Sequence, residues 1–269
     1  MESFKKTKEV PVMKVDYKTD VGKKRSQNED SLVIDEKRGI YLLADGMGGH
    51  QAGEVASRMA VEVAYDSLVH TIARDTSDDD IPGILKEALF KAHEAIKLST
   101  KIDIDYEGMG TTLIQMVVRK DRAYVCNTGD SRIYLIRDKI RQVTKDQTWG
   151  DYLVEHKNME PEKIPAQSWH ILTQAVGVTV NIRPELKRIN LKDNDVLLMC
   201  SDGLTDMLSD EEIEHIVIRS KEEAFDKAAV NLVDAANSKG GRDNISVVLV
   251  KYNSLKIEVE CTAFSLNKC

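Results

Sequence analysis

Residues 42–56 read LLADGMGGHQAGEVA. Apolar and small residues run straight into Asp45, and glycines follow at positions 46, 48 and 49. A helical pattern then begins, with Val55, Met59 and Val63 at four-residue spacing inside 52–71. Asp-Gly between two apolar runs is ordinary turn chemistry, but a helix follows here instead of a returning strand. The arrangement recurs along the chain. One apolar run ends on Gly129-Asp130, another ends on Asp202-Gly203, a further one begins after Asp243-Asn244, and Glu29-Asp30 stand just before the strand-like SLVID. Acidic residues therefore sit at one strand end after another.

The strands themselves are legible. GIYLLAD (39–45), TTLIQMVVR (111–119), RAYVCNTGD (122–130), RIYLIRD (132–138), DVLLMCSDG (195–203) and NISVVLVKY (244–252) are short apolar runs bounded by Gly, Asp and Asn. The connections KD, GDS and DK within 111–143 have hairpin length, which predicts one antiparallel meander there. Residues 81–98 carry Ile84, Leu85, Ala88, Leu89, Ala92, Ala95 and Ile96 on a 3.6-residue face. SDEE at 209–212 is a capping-box signature, with Ser209 as cap and Glu212 reaching back. A further helix is expected over 222–236, ended by 237–241. Paired helices and antiparallel strands favour an α+β fold over a βαβ alternation. Residues 146–190 lack clean periodicity, hold both tryptophans, and read as a flap. The chain divides into an N-terminal extension (1–13), one domain (14–252) and a C-terminal tail (253–269).

Bulk properties narrow the function. A chain of 269 residues with 42% apolar content can bury a sizeable core. A net charge of −7 with only short basic clusters argues against nucleic-acid binding. Cys126 and Cys200 lie inside apolar runs and no C-x-x-C pair occurs, which points to a reducing compartment rather than disulfides or zinc. The N-terminus lacks a signal-peptide core, and no apolar run approaches the ~20 residues of a membrane span. The expectation is a soluble, cytoplasmic protein without a membrane partner.

Several carboxylates at one edge repel one another unless cations neutralise them. Carboxylates without His or Cys partners suit Mg²⁺ or Mn²⁺, and a glycine beside them lets a backbone carbonyl approach an ion. Other readings of the glycines fail. Gln51 breaks the dinucleotide pattern at its third glycine, no G-x-x-x-x-G-K-[ST] occurs, no short loop has the acidic spacing of an EF-hand, and neither Ser131 nor Ser201 sits in a G-x-S-x-G elbow. The six histidines are scattered without an H-x-x-x-H and read as surface or packing residues.

RSQNEDS, ADGMGGHQAGEVAS, GMGTTL, CNTGDSRIYLI, LLMCSDGLTDML and GRDNISVVLV occur in this order over 14–251. In them the chain resembles the metal-dependent serine/threonine protein phosphatases of the 2C type, in their bacterial branch. The resemblance implies an αββα four-layer sandwich, with two antiparallel sheets between helix pairs. It implies a centre of two Mn²⁺ or Mg²⁺ ions. Asp45 bridges them, Gly46 lends its carbonyl, Asp202 and Asp243 hold one ion, and Glu29 and Asp30 surround the other, partly through water. Asp130 matches a position linked to a third, weaker ion shared with Asp202, and Arg25 matches the arginine that grips the substrate phosphate. A water activated between two cations attacks phosphorus in line, with Asp45, Asp202 and Asp243 acting through the ions they hold.

The resemblance has departures. Some members carry a histidine where Met47 stands, so a water on a metal, or more weakly His50, is expected as general acid. Gln147 and Gln174 also differ from common family residues, which suggests altered support of the centre and altered substrate grip. The implied partners are phosphoproteins, including a serine/threonine kinase that the enzyme opposes, and the implied state is a monomer. A docking domain without turnover and a small-molecule phosphatase are the alternatives. The intact acidic set argues against the first, and family analogy alone against the second.

Overall fold

The computed structural model describes residues 4–48 and 52–261. In chain order the strands and helices open with β1 (Phe4–Asp20), β2 (Asp30–Asp35), β3 (Ile40–Met47), α1 (Ala52–Thr71) and α2 (Ile81–Ile102). There follow β4 (Gly110–Thr111), β5 (Leu113–Arg119), β6 (Arg122–Thr128), β7 (Arg132–Ile136), β8 (Ile140–Gln142) and α3 (Trp149–Lys157). The chain ends with β9 (Glu185–Asn190), β10 (Val196–Cys200), α4 (Asp202–Thr205), α5 (Asp210–Glu223), α6 (Ala228–Ser238) and β11 (Ile245–Cys261).

Two antiparallel sheets result. One has the order β1-β11-β10-β7-β8; the other runs β2-β3-β5-β6-β9, with β4 paired to β3. Period-2 alternation explains the layering. On β3, Ile40, Leu42 and Ala44 face the buried stripe of α1 and α2. Tyr41 and Leu43 face the opposite way, into a core shared with Ile133, Leu135, Leu197, Met199, Val248 and Val250 of the other sheet. On β10, Val196, Leu198 and Cys200 pack on Ile213, Val217 and Leu232 of α5 and α6. Helices, sheet, sheet and helices stack in that order, giving the expected αββα sandwich. Both faces of each central strand are covered, which is why β10 is buried at every position.

The elements follow their local sequence signals. Ser209 accepts from the Glu212 amide and the Glu212 carboxylate accepts from the Ser209 amide, the expected capping box at the start of α5. The expected helix over 222–236 is corrected: α5 runs on to Glu223, the chain breaks at Ala224 with φ −162°, and α6 starts at Ala228. The expected meander over 111–143 is corrected too. β5 and β6 form a hairpin from Leu113↔Thr128 to Arg119↔Arg122. β7, however, pairs with β10 and β8, in the other sheet. Gly129-Asp130-Ser131 is thus a crossing between sheets and not a hairpin turn. Gly129 makes it possible at φ +106°, where a Cβ would stand 2.6 Å from the Thr112 methyl carbon.

Three segments run differently from the expected domain plan. Residues 4–13 and 253–261 continue β1 and β11, which pair from Phe4↔Cys261 to Asp20↔Ile245. The segment read as a flap over 146–190 carries α3 and two short 3₁₀ turns, and its last six residues belong to β9. No helix among the described residues is long and apolar enough to cross a membrane.

Gly129→Ala should lower stability by about 1–3 kcal/mol through strain and crowding against Thr112. Gly83→Ala, at a helical position with nothing within 4 Å of the added carbon, should be neutral or stabilising. Urea unfolding of the two variants beside the parent checks the contrast; equal midpoints would refute the sheet-crossing account.

Candidate functional site

The crossing at 129–131 lies at the same edge as four other strand ends. Asp30 and Asp45 are direct partners across β2 and β3. Asp202 follows β10 and Asp243 precedes β11, which pair through Cys200↔Val247. One cleft of about 400 Å³ is lined by Arg25, Glu29, Asp45, Gly46, Asp130, Asp202 and Asp243. Asp30 lies beneath it, buried, its Oδ2 accepting from Ser201 Oγ at 2.9 Å. All eight residues singled out from the sequence therefore converge on one end of the sandwich.

The backbone around them is tied down. The Asp45 amide donates to Thr112 Oγ1 at 2.9 Å, and the Asp45 carbonyl accepts from the Thr112 amide at 2.9 Å and Thr111 Oγ1 at 2.7 Å. Thr112 Oγ1 also lies 2.8 Å from Ser131 Oγ, which links the site to the sheet crossing. Asn244 holds the loop that carries Arg25 and Glu29. Its Nδ2 donates to the Val21 and Gln27 carbonyls at 3.0 and 2.9 Å, and its Oδ1 accepts from the Glu29 amide at 2.8 Å. Gly46 has a packing role of its own: a Cβ there would collide with the carbonyl oxygens of Gly53 and Glu29. Gly203 is needed in the same way against the Asn244 carbonyl.

Electrostatics dominate the site. Burial pushes the Asp30 carboxyl up to about 7, with Asp202 and Asp243 adding to the rise against the Ser246 and Ser201 hydrogen bonds. Burial, then Asp206 and Asp243, push Asp202 up to about 6. Asp45 is raised well above the usual range by burial and by Asp30, Asp202, Asp130 and Asp243, and Asp130 by burial, Asp202 and Asp146. Asp30 Oδ1 is buried with no hydrogen-bond partner. The one arginine of the cleft is Arg25, half-exposed, 2.7 Å from Asp243 Oδ2 and 3.8 Å from Glu29 Oε2. One guanidinium cannot neutralise this many acids. The donor set, all hard oxygens with an orphaned buried one among them, fits divalent cations.

Several contributors carried no signal in the sequence. Ser201, Thr111, Thr112 and Asn244 act through backbone contacts that appear only once the strand ends meet. His170, an exposed residue as the sequence suggests, lines the cleft with Asp206. His93 does pack, buried, and accepts from the Gly177 amide at 2.9 Å. Gln147 Oε1 accepts from the Gly129 amide at 2.9 Å and so braces the crossing. Gln174 Oε1 accepts from the Arg183 amide at 2.8 Å, within its own loop. Met47 lines the cleft, and His50 lies outside the described residues.

Residues 22–249 match the family model described as Protein phosphatase 2C. The chain is 36% identical over 255 residues to the serine/threonine phosphatase stp of Listeria innocua, covering 91% of this chain and 98% of that one. It is 38% identical over 251 residues to the protein phosphatase PhpP of Streptococcus pneumoniae, covering 90% and 98%. The catalytic domain of the serine threonine protein phosphatase PstP, solved in complex with two manganese ions, superposes with a TM-score of 0.78 at 33% identity, over 91% of this chain and 100% of that one.

The raised carboxyl pKa values fix a pH dependence. Between about pH 4 and 7 the folded, metal-free protein holds more protons than the unfolded chain, so its stability falls as pH rises. In EDTA the melting temperature should therefore drop from pH 5 to pH 8. Mn²⁺ should restore it, by at least about 5 °C at pH 7.5 and by less at pH 5, because protons and cations compete for the same oxygens. Scanning calorimetry checks this; a metal-free melting temperature that rises over the same interval contradicts it.

Proposed function

The chain belongs to the protein phosphatase 2C family, and we propose a role for each residue of its cleft. The protein is a metal-dependent serine/threonine phosphatase. Asp45 and the Gly46 carbonyl would hold two divalent ions, Mn²⁺ or Mg²⁺, with Asp202 and Asp243 serving one and Glu29 and Asp30 the other. Asp130, with Asp202, would serve a third and weaker ion. The observation that carries this reading is the convergence of carboxylates around Asp45, an unpartnered buried Asp30 oxygen beneath them, with Arg25 as the one arginine of the cleft.

When bound, the cations supply Lewis acidity, lowering the pKa of water and balancing charge on the phosphoryl oxygens. The protein's own residues do the rest. Arg25 stands at the cleft mouth with its side chain 48% exposed, held to Asp243 on one side. It is free to turn its fork onto an incoming phosphoryl group, where two parallel N–H donors match two oxygens. Asp30 and Asp45, fixed through Ser201 and Thr112, keep their carboxyls in place without help from substrate. Met47 has no proton to give, so the leaving serine or threonine alkoxide takes its proton from water in the cleft.

A covalent phosphoenzyme has no support among the buried thiols. Burial pushes Cys126 and Cys200 up to about 12, and a thiol that stays protonated is a poor nucleophile. Direct attack by water on phosphorus matches this chemistry. The protein's substrates are phosphoserine and phosphothreonine proteins, including a serine/threonine kinase that it opposes, and it acts as a cytoplasmic monomer.

Hydrolysis of a phosphothreonine peptide by the purified protein tests the assignment. Release of phosphate should require Mn²⁺ or Mg²⁺, stop with EDTA, and fall at least ~100-fold in Asp202→Asn. Turnover that persists in EDTA or in that variant would refute these residue roles. Arg25→Ala should lower kcat/KM by about 10- to 1,000-fold with Mn²⁺ stoichiometry unchanged, since the guanidinium serves the phosphate and not the ions.

A further inference from the structure

His170 ends a 3₁₀ turn over Ala166–His170, inside the segment that borders the cleft. Its position is set by backbone contacts on the next residues: the Ile171 carbonyl accepts from the Trp149 amide at 2.7 Å, and Leu172 bridges to Thr148. Across the cleft, α4 puts Asp202 and Asp206 on one helical turn, the Asp206 amide donating to the Asp202 carbonyl at 2.8 Å. His170 Nδ1 stands 3.7 Å from Asp206 Oδ2. One ligand atom from each of His170, Asp202 and Asp206 falls within 4.8 Å of the others.

That spacing is too long for a hydrogen bond. It suits two donors on a shared ion: atoms about 2.0–2.2 Å from one cation stand roughly 3–4 Å apart. Among the described residues no closer partner holds either the imidazole or the Asp206 carboxylate. Both side chains are partly exposed, at 55% and 38%, and so can turn onto an ion. Asp202 can share its two oxygens between ions.

We propose that His170, Asp202 and Asp206 form a further divalent-cation site, distinct in carrying a nitrogen donor, that ties the segment around α3 to α4 along one side of the cleft. This rests on the cleft being a metal centre and adds His170 to it. One imidazole among carboxylates favours Mn²⁺, Co²⁺ or Zn²⁺ over Mg²⁺. The sequence could not single out His170, because its partners lie more than thirty residues away and no ligand spacing joins them.

The test is Mn²⁺ binding followed by equilibrium titration and by pulsed electron paramagnetic resonance, which detects ¹⁴N bonded to the ion. In the parent protein, nitrogen coupling should appear as the weakest Mn²⁺ site fills. His170→Ala should abolish the coupling and weaken that site by about tenfold or more, leaving in place the ions assigned to Asp45, Asp243 and Asp130. Asp206→Asn should lose the same weak ion. Thermal unfolding of both variants in EDTA shows that they fold. Two tight ions without nitrogen coupling, or coupling that survives His170→Ala, overturns the His170 site alone. No Mn²⁺ bound at any concentration up to millimolar overturns both this site and the metal centre on which it rests.

Discussion

Carboxylates crowded at the edge of a buried sheet repel one another and lose hydration, and the fold has to hold them there. Asp30, Asp45, Asp130, Asp202 and Asp243 come from both sheets, at strand ends that sequence separates by as much as 213 residues, from Asp30 to Asp243. Local interactions alone cannot assemble such a group. The sandwich does so by covering both faces of every central strand, so that strand ends can meet in only one register. Packing supplies the stability, and the acidic edge draws on it until cations arrive.

The polar residues around the edge make sense in those terms. Ser201 joins β10 to Asp30 across the sheets, Thr112 and Ser131 clamp Asp45 to the crossing, and Asn244 fastens the loop of Arg25 and Glu29. Each satisfies backbone or carboxylate atoms that would otherwise be buried unpaired. The glycines serve the same end. Gly46 and Gly203 are where backbones press together hardest, so their small size is a packing requirement as much as an opening for a ligand.

Much of this is legible in the sequence. The strand runs, α1, and the capping box at Ser209 follow from alternation, helical spacing and cap chemistry. The acidic strand ends are visible as a pattern, and the family resemblance turns the pattern into a layered fold and a two-ion centre. Three features escape for a clear reason. GDS at 129–131 has hairpin length, and nothing local tells a hairpin from a step between sheets; the difference lies in the distant partner β10 of β7. Asp206 and His170 each look like an ordinary surface residue until the chain around α3 is laid beside α4. Likewise the pairing of 4–13 with 253–261 depends on register between the two ends of the chain, which no local pattern encodes.

The central claim is that the acidic edge is built around divalent ions with Asp45 between two of them. Crystals grown with Mn²⁺ and measured at the manganese absorption edge test it most directly. Two strong anomalous peaks should flank the Asp45 carboxylate, one of them also within bonding distance of Asp202 and Asp243. Anomalous density absent from both sides of Asp45, in crystals where the carboxylates are well ordered, would contradict it.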